Sequence, residues 1–397
     1  MKSFPRKSIL ALAIALASGN SAAQLNWDVE LGLGYNSNIY QTPGDSYTDL
    51  SQTVTVNGTQ QSPTVVPSVK SGLYLPLNAG IDYETMLTQA IALKADYRLV
   101  TQRYLNRDYS NGDKTVHRID LGGEYIFKQV KSRKDSLYAG LFAKNVKEYY
   151  VDRDSGEMKL APGAIDVSQR YYYDSIGFEL EYKYKTGNIQ YGLSWVMETL
   201  DYVDPVVVSQ YDNDYQKLAA EIEFRLGRPT KLYFDFSVAN RAYDERPSRD
   251  LNGSMFASYP AREYDYQTIE TTLRHKISKA WVTYLTYKYS TREDLYVGYN
   301  DYTGHTLKAR LLHKTERART RLAIGYKTLD YDNAWAFEET TGGKKTYDAF
   351  EASISTEIPQ NEHRALWGEL KYNAVDTNDS RYQYDRYRLA LGYKWEY

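Results

Sequence analysis

The C-terminal segment, residues 387–397, alternates between two chemically different sets of side chains. One set is aliphatic or aromatic and comprises Tyr387, Leu389, Leu391, Tyr393, Trp395 and Tyr397. The positions between them include Arg388, Lys394 and Glu396. A period of two predicts a β-strand with one face in water and the other in an apolar phase. A strand that ends on an aromatic residue favours a closed barrel, in which the last strand pairs with the first.

The same alternation recurs along the chain in about sixteen segments, an even number as bacterial barrels prefer. The first segment, 27–35, places Trp27, Val29, Leu31, Leu33 and Tyr35 on one face. The others lie near 75–83, 91–99, 115–127, 136–149, 174–184, 188–200, 218–226, 232–238, 265–275, 280–291, 302–313, 319–330, 346–358, 364–375 and 383–397. Both faces of 136–149 are mixed, so the pattern does not settle which of them meets lipid.

The connections between these segments alternate in length, which is a second signal. Short ones span 185–188, 227–230, 276–279 and 359–362, whereas long ones span 41–71, 104–114, 150–171, 202–213, 243–264, 331–346 and 376–382. Short periplasmic turns and long outer loops are typical of an all-β, transmembrane up-and-down antiparallel barrel. Both termini would then be periplasmic. We expect the first loop, 41–71, to be a mobile surface loop, the alternative being an inward fold that narrows the pore.

The N-terminus has the composition of a secretory signal peptide. Lys2, Arg6 and Lys7 precede a short apolar run, and Ser21-Ala22-Ala23 suits cleavage. This predicts a signal peptide at 1–23 and a single barrel domain at 24–397, located in the outer membrane of a Gram-negative bacterium. Its expected surroundings are outer-membrane lipid and lipopolysaccharide. The aromatic C-terminal strand is similar to the signal by which the barrel assembly machinery recognises such proteins.

The composition narrows the possible functions. The chain has no cysteine, which excludes disulfides, thiolate metal sites and thiol catalysis. Its net charge of -2 argues against a nucleic-acid partner. Among its 41 tyrosines, most are expected in the aromatic girdles at the membrane surfaces. A minority fall on the water-facing side and could stack on sugar rings: Tyr74, Tyr138, Tyr233, Tyr284 and Tyr347.

The water-facing positions carry an uneven distribution of charge. If the apolar face meets lipid, the other face lines a lumen wide enough for water. Strands six to eight contribute an acidic wall of Glu179, Glu181, Glu198, Glu221 and Glu223. Strands ten to thirteen contribute a basic wall of Arg274, Lys288, Arg292, Lys308, Arg310, Arg319, Arg321 and Lys327. We expect the two walls to face each other across a polar channel, unless these charges only pair and solvate.

An enzyme is the competing class of protein, and its signals are weak. The five histidines are His117, His275, His305, His313 and His363, and there is no Gly-x-Ser-x-Gly motif. His117 and His305 lie near acidic residues, Asp113 and Asp301, close to the outer ends of strands. This arrangement is similar to the Asp/His site of omptin-like proteases but is unspecific. We therefore expect no enzymatic activity, no catalytic residue and no cofactor or metal.

The first strand and the residues directly after it, Gly32-Leu-Gly-Tyr-Asn-Ser-Asn-Ile-Tyr40 and then Gln-Thr-Pro43, resemble the opening of a family of outer-membrane β-barrel porins. Members of that family are often associated with exopolysaccharide synthesis and export. The resemblance implies a barrel over nearly all of the mature chain, working beside a periplasmic polysaccharide-export protein. A similar opening occurs in surface lipoprotein assembly modifiers, but those carry an N-terminal tetratricopeptide domain that has no counterpart before Trp27.

These observations together predict a conduit that exports polysaccharide across the outer membrane. The alternative is a general diffusion porin for small polar or anionic solutes, which predicts a permanently open pore. A structural or adhesive barrel is a third possibility.

Overall fold

The computed structural model describes residues 23–130, 133–161, 163–203 and 211–397, with side chains left out at 129, 130, 133 and 134. Sixteen antiparallel strands in this part of the chain form one closed barrel. The predicted fold class, a transmembrane up-and-down barrel, is confirmed. The predicted signal peptide lies outside the described residues except for Ala23.

The barrel strands follow one another around the wall in chain order. They are β1 Gln24–Asn36, β2 Gly72–Met86, β3 Ile91–Tyr104, β4 Lys114–Val130, β5 Arg133–Glu148, β6 Tyr173–Thr186, β7 Ile189–Tyr202, β8 Asn213–Arg225, β9 Thr230–Pro247, β10 Ala261–Lys276, β11 Trp281–Asp294, β12 Tyr302–Lys314, β13 Arg319–Trp335, β14 Lys344–Asn361, β15 Arg364–Thr377 and β16 Tyr384–Glu396. Long loops connect them at one end and short turns at the other, where Gln24 and Tyr397 also lie.

The barrel closes where the first strand pairs with the last. Leu33 is in register with Leu391, and Val29 with Trp395. The backbone amide of Trp27 donates to the carbonyl of Tyr397 at 3.0 Å, and the amide of Tyr397 donates back at 2.9 Å. The Tyr397 ring stacks on the rings of Trp27 and His363, with centroids 5.9 and 4.3 Å apart. Tyr397 therefore stabilises the pairing of β1 with β16, which we call the seam of the barrel.

The outer face of the barrel is apolar and exposed. Leu141 and Ile176 are each 62% exposed, and Leu391 is 60% exposed. Each exposed leucine left in water forgoes about 2 kcal/mol of burial, so a continuous band of such residues favours an apolar surrounding. Within the described residues no helix is long and apolar enough to cross a membrane.

The ambiguous segment 136–149 forms most of β5, and its mixed pattern has a packing cause. Leu141 points outward, whereas Phe142 points into the lumen and lies against Gly177, whose Cβ, if present, would be 2.1 Å from the Phe142 ring. Tyr138 covers Gly122 and Gly140 in the same manner. Aromatic rings laid over lumen-side glycines place apolar residues on both faces of this strand.

Candidate functional site

The strand register assigns every predicted wall residue to the lumen face, because directly paired residues in adjacent strands share a face. On the basic side, Arg274 pairs with Tyr284, Tyr284 with Arg310, and Lys327 with Thr306. On the acidic side, Glu181 pairs with Tyr138, and Glu221 with Gly192. The remaining wall residues have the same parity on these strands. Their part in transport stays a prediction.

The basic wall contains two clusters. Lys288 and Lys327 are both in register with Thr306, and Lys308 lies next to them on β12, so three ammonium groups meet on β11–β13. Nearer the short turns, the guanidinium of Arg310 lies 4.0 Å from the centroid of Tyr284, whose hydroxyl accepts a bond from Arg274 Nε at 3.3 Å. One tyrosine thus positions two arginines toward the lumen.

The basic wall is largely uncompensated. In the described part of the chain its one ion pair joins Arg319 to Glu357 at 3.3 Å. The side chains of Lys308, Arg310, Arg321 and Lys327 are exposed. Exposed cations without an ion pair give the lumen a positive potential on this wall. Glu270, which is in register with Lys288, and Glu357 offset only part of it.

The acidic wall, in contrast, is mostly paired in place. Glu198 binds Lys144 at 3.0 Å and Ser175 at 2.6 Å, and Glu181 binds Lys183 at 2.7 Å. Glu223 accepts from both Lys231 at 2.7 Å and Arg225 at 3.1 Å. Three of the five glutamates therefore have a cation beside them, and the two walls differ in net charge as well as in sign.

The expected opposition of the two walls is wrong. The acidic wall centres on β7, and the basic wall centres between β11 and β12, so four to five of the sixteen strands separate their centres. Opposite positions would be eight strands apart. The walls occupy neighbouring quarters because strands follow chain order around the barrel. The field is therefore directed along the wall rather than across the lumen.

Sequence reasoning missed a third charged group, which lies on β1–β3. Arg98 lies between three carboxylates, at 2.6 Å from Asp28, 2.8 Å from Asp82 and 3.1 Å from Asp96. The alternation of these strands already placed the four side chains on one face. What it does not indicate is that the guanidinium bridges carboxylates from three adjacent strands, which depends on the register between them.

Sequence reasoning also underestimated the tyrosines of the lumen. Twelve lumen-facing tyrosines lie near the long-loop ends of eleven strands, and we call them the tyrosine collar. Its members are Tyr74, Tyr104, Tyr173, Tyr202, Tyr215, Tyr243, Tyr264, Tyr266, Tyr302, Tyr331, Tyr347 and Tyr384. Of the five lumen tyrosines named from the sequence, Tyr138, Tyr233 and Tyr284 lie deeper. The collar surrounds the mouth of the barrel, where loops and solutes would meet it.

The first loop folds over this mouth rather than extending freely. Ile39 and Tyr40 pack against Tyr74, Tyr104 and Ala390 of the barrel wall. Residues 37–51, which we call the strap, include many buried positions, whereas the hairpin of 54–56 with 59–61 is exposed. The expectation of a mobile surface loop therefore does not fit the strap.

The strap reaches both sides of the mouth through Tyr47. The Tyr47 hydroxyl donates to Asp154 at 2.9 Å, and Asp154 belongs to the loop between β5 and β6. The Tyr47 ring lies 6.2 Å from that of Phe337, in the loop between β13 and β14. Those strand pairs are eight strands apart in a barrel of sixteen. The strap therefore links opposite rims of the mouth.

Titratable groups in these loops respond to burial. Burial raises the pKa of Tyr40 to about 12. Burial, with the carboxylate of Asp154, also raises the pKa of Tyr47. Burial alone would raise the pKa of Asp152, but the hydrogen bond and charge of Lys159 at 2.7 Å outweigh it and lower that pKa. The phenols are held neutral and the Asp152–Lys159 pair is held ionised.

The candidate enzymatic residues are not assembled into a site. His117 Nδ1 lies 2.9 Å from the Tyr97 hydroxyl, and His305 Nδ1 lies 2.8 Å from the Tyr287 hydroxyl, in each case on the outer face. Asp113 instead accepts a bond from the Tyr104 amide at 2.8 Å. Among the described residues no group of three or more His, Asp or Glu side chains is placed to hold a metal ion.

Solved structures similar to this chain include outer-membrane proteins and a porin of bacteria. OmpT, an outer membrane protein of Vibrio cholerae, has a TM-score of 0.49 and 9% identity, covering 96% of this chain and 99% of its own. A bacterial polysaccharide outer membrane secretin gives 0.46 and 10%, covering 93% and 97%. An anion-selective porin from Comamonas acidovorans gives 0.45 and 9%, covering 95% and 100%.

No protein-family model and no curated protein matches the chain. At TM-scores below 0.5 the structural likenesses carry no inference about cargo or activity. The fold rests on the strand pairing itself, and the function has to be argued from the lumen and the mouth.

Proposed function

We propose that this protein is an outer-membrane channel that exports polysaccharide from a Gram-negative cell. The observation that carries the proposal is the uncompensated basic wall, in which Lys308, Arg310, Arg321 and Lys327 are exposed to the lumen without a carboxylate partner in the described residues. A water-filled barrel with such a wall admits polar solutes and favours anionic ones. The apolar outer face supplies the fit to a bilayer.

The strap favours regulated export over free diffusion. A general diffusion porin needs a mouth that stays open, whereas here Tyr47 joins loops from opposite rims. With the short turns in the periplasm, the strap would lie on the cell surface. A polymer arriving from the periplasm, delivered by a polysaccharide-export protein, would have to displace the strap before leaving.

The alternative function is a diffusion porin for small anionic solutes, which the same basic wall favours. The phenotype of a strain in which the gene is deleted distinguishes the two functions. The export proposal expects surface and secreted polysaccharide to fall in the deletion strain and to recover when the wild-type gene is restored. Unchanged polysaccharide, together with slower uptake of small anions, would refute export and support the porin.

The proposal leaves no role for catalysis. The acidic wall, the basic wall and the collar are spread over most of the barrel circumference instead of converging on one reacting atom, as catalysis requires. Incubating the purified protein with peptide and lipid substrates should therefore give no hydrolysis, and turnover of either substrate would contradict the proposal.

A further inference from the structure

A group of arginines within the tyrosine collar is not accounted for by packing alone. Arg241 and Arg246 lie on β9, Arg262 on β10 and Arg292 on β11. None of the ion pairs in the described ranges includes any of these four side chains. Arg262 is only 5% exposed, and its Nε has no hydrogen-bond partner there, nor have those of Arg241 and Arg246. Clustering unpaired cations is unfavourable unless an anion is bound among them.

Tyrosine rings orient three of these guanidinium groups, those of Arg241, Arg246 and Arg292. Arg292 lies 4.8 Å from the centroid of Tyr264 and 4.7 Å from that of Tyr302, and its Nε donates to the carbonyl of Asn300 at 2.8 Å. Arg246 lies 4.1 Å from the centroid of Tyr211. Arg262 is held differently, since its Nη2 donates to the Pro247 carbonyl at 3.0 Å and contacts the Met255 sulfur at 3.3 Å. Ring contacts of this kind occupy the faces of a guanidinium and not its N–H donors.

The nearby carboxylates are engaged with backbone and amide groups. Asp294 accepts from the side chain of Asn300 at 2.9 Å, and Asp212 accepts from the backbone amide of Tyr202 at 2.6 Å. Neither forms an ion pair with the arginines in the described residues. These carboxylates keep their charge, but they do not occupy the donors of the four guanidinium groups, which therefore remain open to an anionic ligand.

We propose that Arg241, Arg246, Arg262 and Arg292 form a binding site for a carboxylate-bearing saccharide at the long-loop end of the lumen. An arginine fork matches a carboxylate in a bidentate arrangement, and a tyrosine ring offers an apolar face and a hydroxyl to a sugar. Arg292 is also four residues from Lys288 on the same face of β11, about 13 Å away. The site thus continues into the basic wall.

This inference rests on the proposed function, because it names the place where the exported polymer is held before release. It can be tested without transport. Titration calorimetry on the purified barrel in detergent micelles measures the binding of tri-galacturonate, with neutral maltotriose and inorganic phosphate as comparison probes. Only tri-galacturonate combines the sugar ring and the carboxylate, so it should bind at least tenfold more tightly than either of the others.

The variant Arg241→Gln/Arg292→Gln should weaken tri-galacturonate binding about tenfold or more, since charge-assisted hydrogen bonds are lost. The matched control, Arg225→Gln/Arg228→Gln, removes two exposed charges at the short-turn end, outside the basic wall and the collar, and should change binding less than twofold. Folding of each variant is checked by the heat-dependent mobility of the barrel on a gel. If the glutamine pair does not fold, Arg241→Lys/Arg292→Lys keeps the charge but loses the fork, and should still weaken binding.

Three results would overturn the site. The first is binding of phosphate as tight as that of tri-galacturonate, and the second is binding of maltotriose as tight as that of tri-galacturonate. The third is a loss of affinity in the control variant as large as that in Arg241→Gln/Arg292→Gln. Failure of the proposed function is recognised separately, since a protein that binds tri-galacturonate as described but leaves polysaccharide export unchanged on deletion keeps the site and loses the role in export.

Discussion

Glycine and asparagine residues at the start of the barrel show how single positions shape the mouth. A Cβ on Gly32 would lie 2.8 Å from the Trp367 ring, and one on Gly34 would lie 2.4 Å from the Tyr74 ring. Asn36 donates to the Tyr104 hydroxyl at 2.7 Å. The motif 32–40 therefore packs lumen aromatics against β1 and turns the chain inward.

Tyr40 allows a test at the level of one hydroxyl group. This side chain is 6% exposed, and its hydroxyl has no hydrogen-bond partner in the described residues. Tyr40→Phe should stabilise the packed strap by about 1 kcal/mol, because a buried unsatisfied polar group is removed. Protease resistance of the first loop is the measurement, and a loop that becomes easier to cleave would contradict this interpretation.

The same residue predicts a pH dependence. The folded pKa of Tyr40, about 12, is above its usual value of 10.0, so the packed strap binds the phenolic proton more tightly. The stability that this proton gives the packed strap is complete below pH 10.0 and is lost as the pH rises toward about 12. Cleavage of the first loop should accelerate across that interval in the wild type. The increase should be smaller in Tyr40→Phe, and an identical profile would exclude Tyr40 as a contributor.

Among the elements of the barrel, the seam between β1 and β16 depends on glycine. A Cβ on Gly392 would lie 2.3 Å from the Leu31 carbonyl oxygen and 2.7 Å from the Trp367 ring. Gly392→Val should therefore destabilise the folded barrel by about 2 kcal/mol through overpacking. The midpoint of urea unfolding, followed by gel mobility, measures this loss.

Gly192→Val is the matched control for the seam variant. Gly192 also faces the lumen, but its nearest neighbour beyond the adjacent residues would be Glu221 Cβ at 3.4 Å from the new Cβ. Its unfolding midpoint should remain close to that of the wild type. Equal losses in the two variants would show that the seam has no special packing requirement.

The strap is the element that spans the mouth. Tyr47→Ala removes the hydrogen bond to Asp154 and the contact with Phe337, and should destabilise the packed loop by about 2 kcal/mol. Bilayer recordings should then show more frequent or longer open periods. Val56→Ala, in the exposed hairpin, is the control and should leave gating unchanged. Gating that responds equally to both substitutions would show that the strap does not close the mouth.

The sequence predicts strands better than loops for a physical reason. Alternation with period two is local, so the sixteen strands and the face of each wall residue can be derived from neighbours in sequence. The strap depends on pairs such as Tyr47 and Asp154, which are 107 positions apart. Most of the collar was missed because its tyrosines, such as Tyr104 and Tyr202, lie where the strands extend beyond the predicted segments. Two ion pairs of the acidic wall, Glu198 with Lys144 and Glu223 with Lys231, join different strands and depend on distances that no local pattern contains.

At the scale of the whole molecule, the lumen is divided into sectors of different charge. The β1–β3 sector pairs Arg98 with three aspartates, the acidic wall is mostly neutralised by lysines and arginines, and the basic wall is left open. A solute entering the barrel therefore meets a net positive wall on one side. At the long-loop end this wall continues into the arginines of the collar.

The central claim, an anion-preferring channel, is tested most directly by the reversal potential of the refolded protein in a planar bilayer under a salt gradient. The wild type should favour chloride over potassium, and Lys308→Gln/Arg310→Gln/Lys327→Gln should lose most of that preference. Glu179→Gln/Glu181→Gln/Glu221→Gln, which removes three lumen charges of the other sign, should keep or increase it. A cation-selective wild type, or a preference unchanged by loss of the three basic residues, would contradict the account.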